Sequence, residues 1–593
     1  MSTSTASTLE LDQIINKDTL AADIATKYAE WKMQRSTWEG EKAEIRNYVF
    51  ATDTTKTTNS KLPWKNKTTI PKLCQIRDNL HANYMAALFP NDNWLIWEAE
   101  SEDGADKNKA RTITEYMRNK TRQQQFRQVV SQLVLDYIDF GNSIGDVEYV
   151  KEVHTDVSGE EIVGYIGPRI MRVSALDLVF PITGASFDAV PKITRSILSL
   201  GDLANQIETR PEMKYRQEAF DKALRMRQSL SSYNADDLRK YAGLKIDGFG
   251  DAAAYIGSNL VEILEFEGDY FDLKTGTLYR GHTITIMDGC YVLRNEPMAS
   301  WFGKSYKKHV GWRQRPDNIL AMGPLDNLVG MQYRIDHLEN LKADVFDLIA
   351  HPPMKVKGIV EDFVYAPGQR IFMDMDGDVE MMSPNVAALN ANFEIQILEQ
   401  KMEMYAGAPR EAMGIRSPGE KTAYEVQTLQ NAAGRIFQDK VTYFEENLLE
   451  PLLNCMLECA RRNIDGADKI RVIDEDYGSV EFMAITKEDL TAKGKLRPVG
   501  ARHFAARAQL AQNLMAGINS AAGRDPSVMA HVSGKELAKI IFEEITDLPP
   551  GSIVRDNVRV MEQVETARLS QASSDTVQEE QMVDTQPQEM VPQ

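Results

Sequence analysis

Apolar residues recur every three to four positions along most of the chain, a pattern that predicts helices. In the first half the helical stretches are 18–50, 71–89, 105–140 and 200–242. In the second half they are 324–350, 387–405, 418–463, 501–519 and 534–546. Apolar and polar residues alternate instead over 147–166 and 259–295, where glycine-containing turns predict antiparallel hairpins. We therefore expect an α+β fold, mainly α, without the regular βαβ rhythm of a doubly wound sheet.

The helix predicted over 324–350 carries a near-heptad apolar stripe from Leu328 to Leu348. The segment His351-Pro352-Pro353 ends it, because the residue before a proline disfavours the helical conformation. Short apolar runs separated by Gly and Asp turns follow over 354–386 and predict a small β-type insertion. The pattern then returns to helical spacing over 387–405.

The longest helical pattern covers 418–463 and has a well-marked start. Ser417 is the predicted N-cap, Pro418 the first helical residue and Glu420 the third, which together form a capping box. Pro451 is expected to kink the helix, because proline has no backbone N–H to donate. Up to that proline the helix would be roughly 50 Å long, at about 1.5 Å per residue. A helix of that length needs partners for its apolar stripe, either other helices of this chain or further copies of it.

The composition is that of an ordinary globular protein with a strongly acidic balance. Of 593 residues, 43% are hydrophobic, and 68 Lys and Arg stand against 87 Asp and Glu, a formal charge of −19. A surface this acidic should not hold nucleic acid tightly over its whole extent, since phosphate neutralisation needs Lys and Arg. No apolar run is long enough to predict a membrane-spanning helix, and the first residues do not have the pattern of a secretory signal. Four sparse cysteines fit a reducing compartment, and the acidic stretch 570–593 is predicted to be disordered.

Two basic stretches stand out against this acidic background. The first has no acidic residue between Asp53 and Asp78, and the second is interleaved with Trp301, Phe302, Tyr306 and Trp312. The lysines concerned are Lys61, Lys65 and Lys67 in the first stretch and Lys307 and Lys308 in the second. Basic residues among aromatic residues are able to bind nucleic acid. The alternative, which we favour, is salt bridging to an acidic neighbouring subunit, with the aromatic residues in the core.

No catalytic motif is visible in the sequence. Residues Gly414 to Thr422 nearly spell a phosphate-binding loop, but Glu420 is inserted directly before the lysine, where it would repel phosphate. Residues Asp374 to Asp378 resemble the start of a calcium loop, but the glycine comes too early and position twelve is Asn385. A helix cap and a β-turn are the better interpretations. We therefore expect a protein that is not an enzyme and that needs no cofactor or metal.

Three short segments, taken in order, carry a resemblance to a known family. They are Leu88-Phe89-Pro90 with Trp94, Phe140-Gly141-Asn142-Ser143-Ile144-Gly145 before a strand, and Gly419-Glu420-Lys421-Thr422-Ala423-Tyr424-Glu425-Val426 at a helix start. A helix, a small β insertion, a returning helix and a Gly/Pro-rich loop lie between the last two. Over roughly 60–510 the chain is similar to the portal proteins, or head-to-tail connectors, of tailed bacteriophages. The likeness is closest to those of short-tailed phages.

The resemblance implies a division of the chain into wing, stem, clip and crown. The implied regions are 1–323 wing, 324–350 and 387–405 stem helices, 351–386 clip, 406–419 tunnel loop, 420–463 long wing helix, 464–569 crown and 570–593 disordered acidic tail. It further implies a ring, usually dodecameric, at one capsid vertex. The apolar stripes of the two long helices would then be seams between copies around a hole wide enough for duplex DNA.

The resemblance also implies residues of function and partners. The residues are Arg410, Arg416 and Lys421 at the tunnel loop and Lys355, Lys357, Asp374 and Asp376 on the clip. The first three would guide DNA, or alternatively pair with a neighbouring subunit, and the other four would dock partners. The implied partners are further copies of the chain, double-stranded DNA, the large terminase, tail adaptor and tail proteins, and the major capsid and scaffolding proteins, with no membrane. The implied location is the virion, and the host cytoplasm during assembly.

A cytosolic helical adaptor or scaffold without a channel is the alternative function. Such a protein would not need a β insertion between two helices of stem length, and this feature favours the ring. A nucleic-acid enzyme is a third class, which nuclease and ATPase assays would detect.

Overall fold

The fold is known from a computed structural model. It describes residues 19–50, 66–89, 94–100, 107–155, 161–210, 213–230, 259–272, 276–298, 300, 304–358, 370–373, 375–382, 386–406, 436–464, 466, 468–473 and 480–498. The helices expected over 501–519 and 534–546 and the acidic tail 570–593 lie outside these residues.

The chain folds as α+β, mainly α, as the sequence predicts. The helices are α1 Thr19–Gln34, α2 Ser36–Phe50, α3 Lys72–Leu88, α4 Lys107–Gln123, α5 Phe126–Asp139, α6 Leu200–Thr209, α7 Gln217–Leu230, α8 Val329–Ala350, α9 Asn392–Tyr405 and α10 Glu450–Asn463. The strands are β1 Leu95–Ala99, β2 Asn142–Thr155, β3 Glu161–Val173, β4 Leu178–Val179, β5 Lys192–Ser199, β6 Leu260–Asp272, β7 Thr277–Met287, β8 Tyr291–Pro297, β9 Lys308–Gly311, β10 Arg313–Arg315, β11 Asn318–Met322, β12 Met354–Lys357, β13 Asp378–Met381, β14 Asp468–Ile473, β15 Val480–Ile485 and β16 Gly494–Pro498. The alternation over 147–166 corresponds to the antiparallel hairpin β2–β3, and that over 259–295 to the three consecutive antiparallel strands β6, β7 and β8.

A five-stranded antiparallel sheet, in the order β4-β5-β6-β7-β8, is covered by helices on both faces. Helix α1 packs on one face through Ala21 and Ile24, in the same core as Leu264 of β6. Helices α6 and α7 pack on the other face, in the same core as Ile263. Because successive strand residues point to opposite faces, β6 carries apolar residues at adjacent positions where both faces are buried.

The helix predicted over 18–50 is two helices, α1 and α2, separated at Arg35. The Arg35 side chain is 2% exposed and donates hydrogen bonds to the carbonyl oxygens of Ala175, Leu176 and Leu178, in the turn that precedes β4 and continues into it. Its Nε also pairs with Glu39 at 2.7 Å. One guanidinium therefore satisfies three carbonyl groups that would otherwise be buried without a donor.

The helix predicted over 105–140 is also interrupted, at Gln124 and Gln125. Gln125 has a φ of 55°, in the left-handed region where a helix cannot continue. The side-chain oxygen of Gln124 accepts the backbone N–H of Ile170 in β3 at 2.8 Å. At this break, α4 and α5 are therefore connected to the three-stranded sheet β3-β2-β9 by a tertiary contact.

The Phe140-Gly141-Asn142 turn joins α5 to β2 and locks both against the end of β11. Gly141 has a φ of 70°, and a Cβ atom there would lie 2.3 Å from the backbone nitrogen of Gly323, so only glycine fits. The buried Asn142 amide donates to the carbonyl oxygens of Phe140 and Ala321 and accepts the Ala321 N–H. This segment of the family resemblance is therefore a junction between a helix and two strands.

The expected unit of helix, β insertion and returning helix is present. Helix α8 begins at Val329, later than the predicted 324, and β12 pairs with β13 from Met354–Met381 to Lys357–Asp378. A 3-10 turn over Val386–Ala391 replaces the first turns of the second helix, and α9 follows it.

The long helix is described from residue 436 onward. Residues 436–444 are α-helical, Glu445–Leu449 form a π-helical turn, and α10 continues to Asn463. The π-helical turn ends two residues before Pro451. Because a π turn shifts the backbone hydrogen-bond register, it is a suitable place for a residue that lacks an N–H.

Most of the described residues in the apolar stripes of α8 and of the long helix are buried within the chain itself, whereas Leu348, at the end of the α8 stripe, is 42% exposed. The stripe residues at most 8% exposed are Leu328, Ile335, Leu338 and Val345 near and on α8, and Val441, Phe444, Leu448 and Leu452 on the long helix. The ring of Phe444, for example, lies 5.0 Å from that of Tyr137 in α5. The expectation that these stripes are seams between copies is therefore wrong for these buried residues, because elements of the same chain already cover them.

Contacts divide the chain into two compact units. The described residues of the larger unit fall within 1–88, 97–465 and 487–498, and those of the smaller unit within 89–96 and 466–486. In the smaller unit, β14 and β15 form an antiparallel hairpin. Among the described helices, none combines the length and apolar character needed to cross a bilayer. Within the same residues, no cluster of His, Cys, Asp and Glu is arranged to hold a metal ion.

Candidate functional site

Helices α8 and α9, with the β12–β13 hairpin between them, form the part of the chain with the most unusual surface. The two helices are joined by an ion pair of 3.0 Å between Arg334 and Glu394. A hydrogen bond of 3.0 Å from Lys342 Nζ to Asn392 Oδ1 adds a second link. Both pairs involve exposed side chains, so each contributes little to stability, and the burial of Ile395 and its neighbours carries more.

One face of α8 carries a row of polar side chains that binds an extended segment of the chain. We call residues 66–70 the strap. The row consists of Gln332, Asp336, Asn340 and Asp344. The N–H groups of strap residues 66, 68 and 70 donate to Asp344, Asn340 and Asp336 at 3.0, 2.8 and 3.0 Å. The amides of Asn340 and Gln332 donate back to strap carbonyl oxygens at 2.9 and 2.6 Å.

The fit between the strap and the row is geometric. Four residues of an α-helix rise about 6 Å, and two residues of an extended chain span about 6.6 Å. Side chains four apart on α8 therefore meet every second residue of the strap. Asn340 and Asp336 are at most 1% exposed, which is rare for such residues unless they are hydrogen-bonded.

The strap leads directly into α3, where a buried ion pair fixes it to α9. Lys72 Nζ lies 2.7 Å from Glu403 Oε1, and the two side chains are 6% and 7% exposed. The strap, α3, α8 and α9 are therefore held together by specific polar contacts. A helical wheel of α8 would show the polar row opposite the apolar stripe, but it would not show that the strap covers the row.

The same region also exposes many large apolar side chains. Among the described residues, twelve of the eighteen large apolar side chains that are exposed lie between Phe346 and Tyr405. They are Phe346, Leu348, Ile349, Val356, Phe372, Met373, Met375, Met381, Met382, Phe393, Met404 and Tyr405, and we call them the α8–α9 surface. A concentration of this kind marks an interaction site, since exposed apolar residues are otherwise scattered singly.

The hairpin that carries part of this surface also carries the residues expected to dock partners. Lys355 and Glu380 face each other across the strands at 3.6 Å and are both 67% exposed. Lys357 and Asp376 are exposed as well, whereas Asp374 lies outside the described residues. The structure therefore brings Lys355, Lys357 and Asp376 together on one small exposed hairpin.

The basic residue Lys307 is placed differently from what the sequence suggested. It is 2% exposed, and its Nζ lies 2.7 Å from Glu267, 3.1 Å from Asp146 and 3.4 Å from Glu265. Burial alone would lower the pKa of Lys307, but the three carboxylates outweigh it and hold that pKa well above its usual range. Lys307 is therefore a buried cation of this chain. It cannot reach a nucleic acid, and its acidic partners are not on a neighbouring subunit.

Lys308 and Trp312 of the second basic stretch also have partners within the chain. Lys308 pairs with Asp188 at 3.0 Å, and the buried Trp312 donates its indole N–H to Tyr84 at 3.2 Å. The favoured interpretation, salt bridging to a neighbouring subunit, is therefore wrong for Lys307 and Lys308, whose partners lie in this chain, whereas Trp312 does lie in the core as expected. In the first basic stretch, Lys67 lies on the strap, and Lys61 and Lys65 lie outside the described residues.

The remaining expected site residues fall where the structure gives no description. Arg410, Arg416 and Lys421, and the predicted helix cap of Ser417 and Glu420, all lie outside the described residues. Sequence reasoning, in turn, missed Arg35, Asn142 and the polar row of α8. The row has a recognisable signal, because four short carboxylate or amide side chains recur at a spacing of four without a single Lys or Arg among them.

Comparisons with known proteins add little to this site. A scan against protein-family models and a search of curated proteins find no match. Among solved structures, the chain is similar to one described as the neck of an empty GTA particle computed with C6 symmetry, with 11% identity and a TM-score of 0.38. The similarity covers 86% of this chain and 94% of that one. No inference about fold or function rests on a likeness of this size.

Proposed function

We propose that this chain is the subunit of a portal-like ring of twelve copies at one vertex of a phage capsid. The observation that carries the proposal is the α8–α9 surface, which leaves twelve large apolar side chains exposed on a unit of two helices and a hairpin. Exposed apolar residues concentrated in this way are typical of a surface that another protein covers. Identical copies that contact one another head to tail can close into a ring. In such a ring, the exposed surface of every copy is covered by its neighbour in the same way.

The division into regions supports the same function. The stem corresponds to α8 and α9, the clip to the β12–β13 hairpin, and the wing to the sheets and helices before α8. On the exposed clip, Lys355, Lys357 and Asp376 offer both charges beside apolar residues, which suits docking of the large terminase and then of tail adaptor proteins. The tunnel loop, the crown and the contacts with capsid, scaffolding and tail proteins are parts of the proposal that follow from the resemblance.

The charge of the chain suits a channel for double-stranded DNA. A formal charge of −19 gives a ring that repels phosphate over most of its surface, so that DNA slides during packaging and ejection. Lys307 and Lys308 are already paired with carboxylates and do not act against this. Any guiding cations would therefore come from elsewhere, and Arg410, Arg416 and Lys421 are the proposed ones.

Electron microscopy of the purified protein tests the ring. Wild-type protein is expected to give ring-shaped class averages with a central hole. Phe346→Glu, on α8, should leave mostly single subunits, because it places a charge in the proposed interface. Phe271→Glu is the matched control, since Phe271 is 50% exposed against 53% for Phe346 but lies on β6 of the wing.

Two outcomes would contradict the proposal. Wild-type particles without rings at high concentration would favour the adaptor or scaffold alternative, and rings that persist in Phe346→Glu would show that the α8–α9 surface is not the interface. The channel is tested separately by deleting 408–417, which is expected to leave rings intact and to impair DNA packaging or retention. Normal packaging by that variant would remove the tunnel-loop role.

A further inference from the structure

The polar row of α8 contains one carboxyl group without a counter-ion. Asp336 is 0% exposed. Its Oδ1 accepts the Ile70 N–H of the strap at 3.0 Å and the Gln332 amide at 2.8 Å. Its Oδ2 is buried and has no hydrogen bond of regular geometry. The Thr69 hydroxyl, which is also buried without a regular hydrogen bond, lies close enough to lower the pKa of the carboxyl.

Charged groups on the surrounding elements do not compensate this carboxyl. These groups include Arg334, His337, Glu339, Lys342 and Asp344 on α8, Lys67 on the strap, Lys42 on α2, Lys72 on α3, and Glu394 and Glu403 on α9, whereas the 3-10 turn before α9 carries none. Arg334 is paired with Glu394 and Lys342 with Glu339. Lys42 is paired with Asp326 and Lys72 with Glu403. None of these groups figures among the influences on Asp336, which are burial and three hydrogen-bond donors. Burial dominates and raises the pKa of Asp336 to about 7.

We propose that Asp336 is a proton-dependent latch that holds the strap on α8. With its proton, the side chain is neutral, its Oδ1 still accepts the Ile70 N–H, and its Oδ2 gains a proton to donate to Thr69. Without its proton, a negative charge is buried beside the strap with no cation near it, and the strap is held less tightly. The equilibrium between the bound and the released strap is sensitive to this charge, because the strap is one short extended segment that is attached to α8 through side chains.

The direction in which pH changes the closure of the strap follows from the linkage between proton binding and closure. A carboxyl group whose pKa is raised in the closed state binds its proton more tightly there than in the open state, so closure is favoured at low pH and is lost as the pH rises. With a pKa of about 7 when closed and 3.8 when open, the equilibrium constant for opening rises about tenfold between about pH 6 and about pH 8.

Hydrogen exchange measured by mass spectrometry on the full-length protein tests the latch. Peptides covering 66–73 are compared at about pH 6 and about pH 8 after correction for the intrinsic rate. In the wild type, protection of the strap amides is expected to fall about tenfold over this range. In Asp336→Asn, which resembles the protonated form in shape and charge, protection should be nearly independent of pH.

Asp344→Asn is the matched control. It changes a carboxyl group of the same row that also accepts a strap N–H, so it should alter protection near Asn66 and keep the pH dependence at Ile70. A flat wild-type profile overturns the proposal even if the variants fail to fold. A tenfold fall that persists in Asp336→Asn also overturns it, because another group would then be responsible. Neither result depends on whether the protein forms rings.

Discussion

Replacement of Lys307 by methionine is the most direct test of how charge is distributed in this fold. The substitution keeps the length of the side chain and removes its charge, and Lys307 is the cation shared by Asp146, Glu265 and Glu267. Breaking a buried ion pair by removing one partner costs about 3–5 kcal/mol. The three carboxylate side chains keep 13–30% exposure, which allows some hydration, so we expect the lower end, about 3 kcal/mol.

Lys308→Met is the control for this prediction, because it removes the same charge one residue further along the chain. Among the described residues, Lys308 forms its ion pair with Asp188, whose side chain is 48% exposed. Pairs of this kind contribute about 0–1 kcal/mol. Urea denaturation at equal protein concentration gives both values, and equal midpoints for the two variants would refute the buried cluster.

The pH dependence of the Lys307→Met penalty adds a second criterion. Burial already raises the pKa of Asp146 and Glu265, and without the lysine these values should rise further. Carboxyl groups with raised pKa values destabilise the folded state at neutral pH, and this cost disappears as the pH falls and they take up protons. The penalty should therefore shrink between about pH 7 and about pH 5. A penalty that stays constant would mean that lost packing, and not charge, explains the effect.

Two further predictions concern the backbone and one buried arginine. Gly141→Ala should destabilise the protein by more than about 2 kcal/mol, since it combines a φ of 70° with a backbone clash, whereas Gly330→Ala in α8 meets nothing within 4 Å and should stabilise by about 0.5–1 kcal/mol. Thermal unfolding of the pair decides this, and a Gly141→Ala variant as stable as wild type would contradict the junction described here. Arg35→Lys should cost at least about 2 kcal/mol, because a lysine cannot serve three carbonyl groups and Glu39 together. A loss below about 0.5 kcal/mol in urea denaturation would show that the carbonyl groups find water instead.

Much of the fold was predictable because periodicity reports which side of an element is buried. The helix over Lys72–Leu88, the hairpins and the unit of α8, β insertion and α9 all follow from spacing and turn residues. Breaks within long helical patterns were not predictable, since both sides of the break keep helical spacing. The interruptions depend on distant partners, since Arg35 contacts the turn before β4 and Gln124 contacts strand β3.

The candidate site was predictable only in part. The exposed hairpin with Lys355, Lys357 and Asp376 was expected from the resemblance, and the structure brings these residues together. The role of the apolar stripes was predicted wrongly. An apolar stripe indicates that one face of a helix is buried. It does not indicate whether that face packs against the same chain or against another copy.

The sequence by itself determined most of the described helices, the strands of the two long β-rich stretches, the acidic balance and the position of the β insertion between α8 and α9, because these depend on local spacing and composition. Only the tertiary structure decided which polar side chains are buried. Lys307 and Lys308 are chemically identical neighbours, yet successive residues of an extended chain point to opposite sides, and one side here meets three carboxylates. Asp336 became a buried acid in the same way, because the strap, more than 250 residues away along the chain, lies across it.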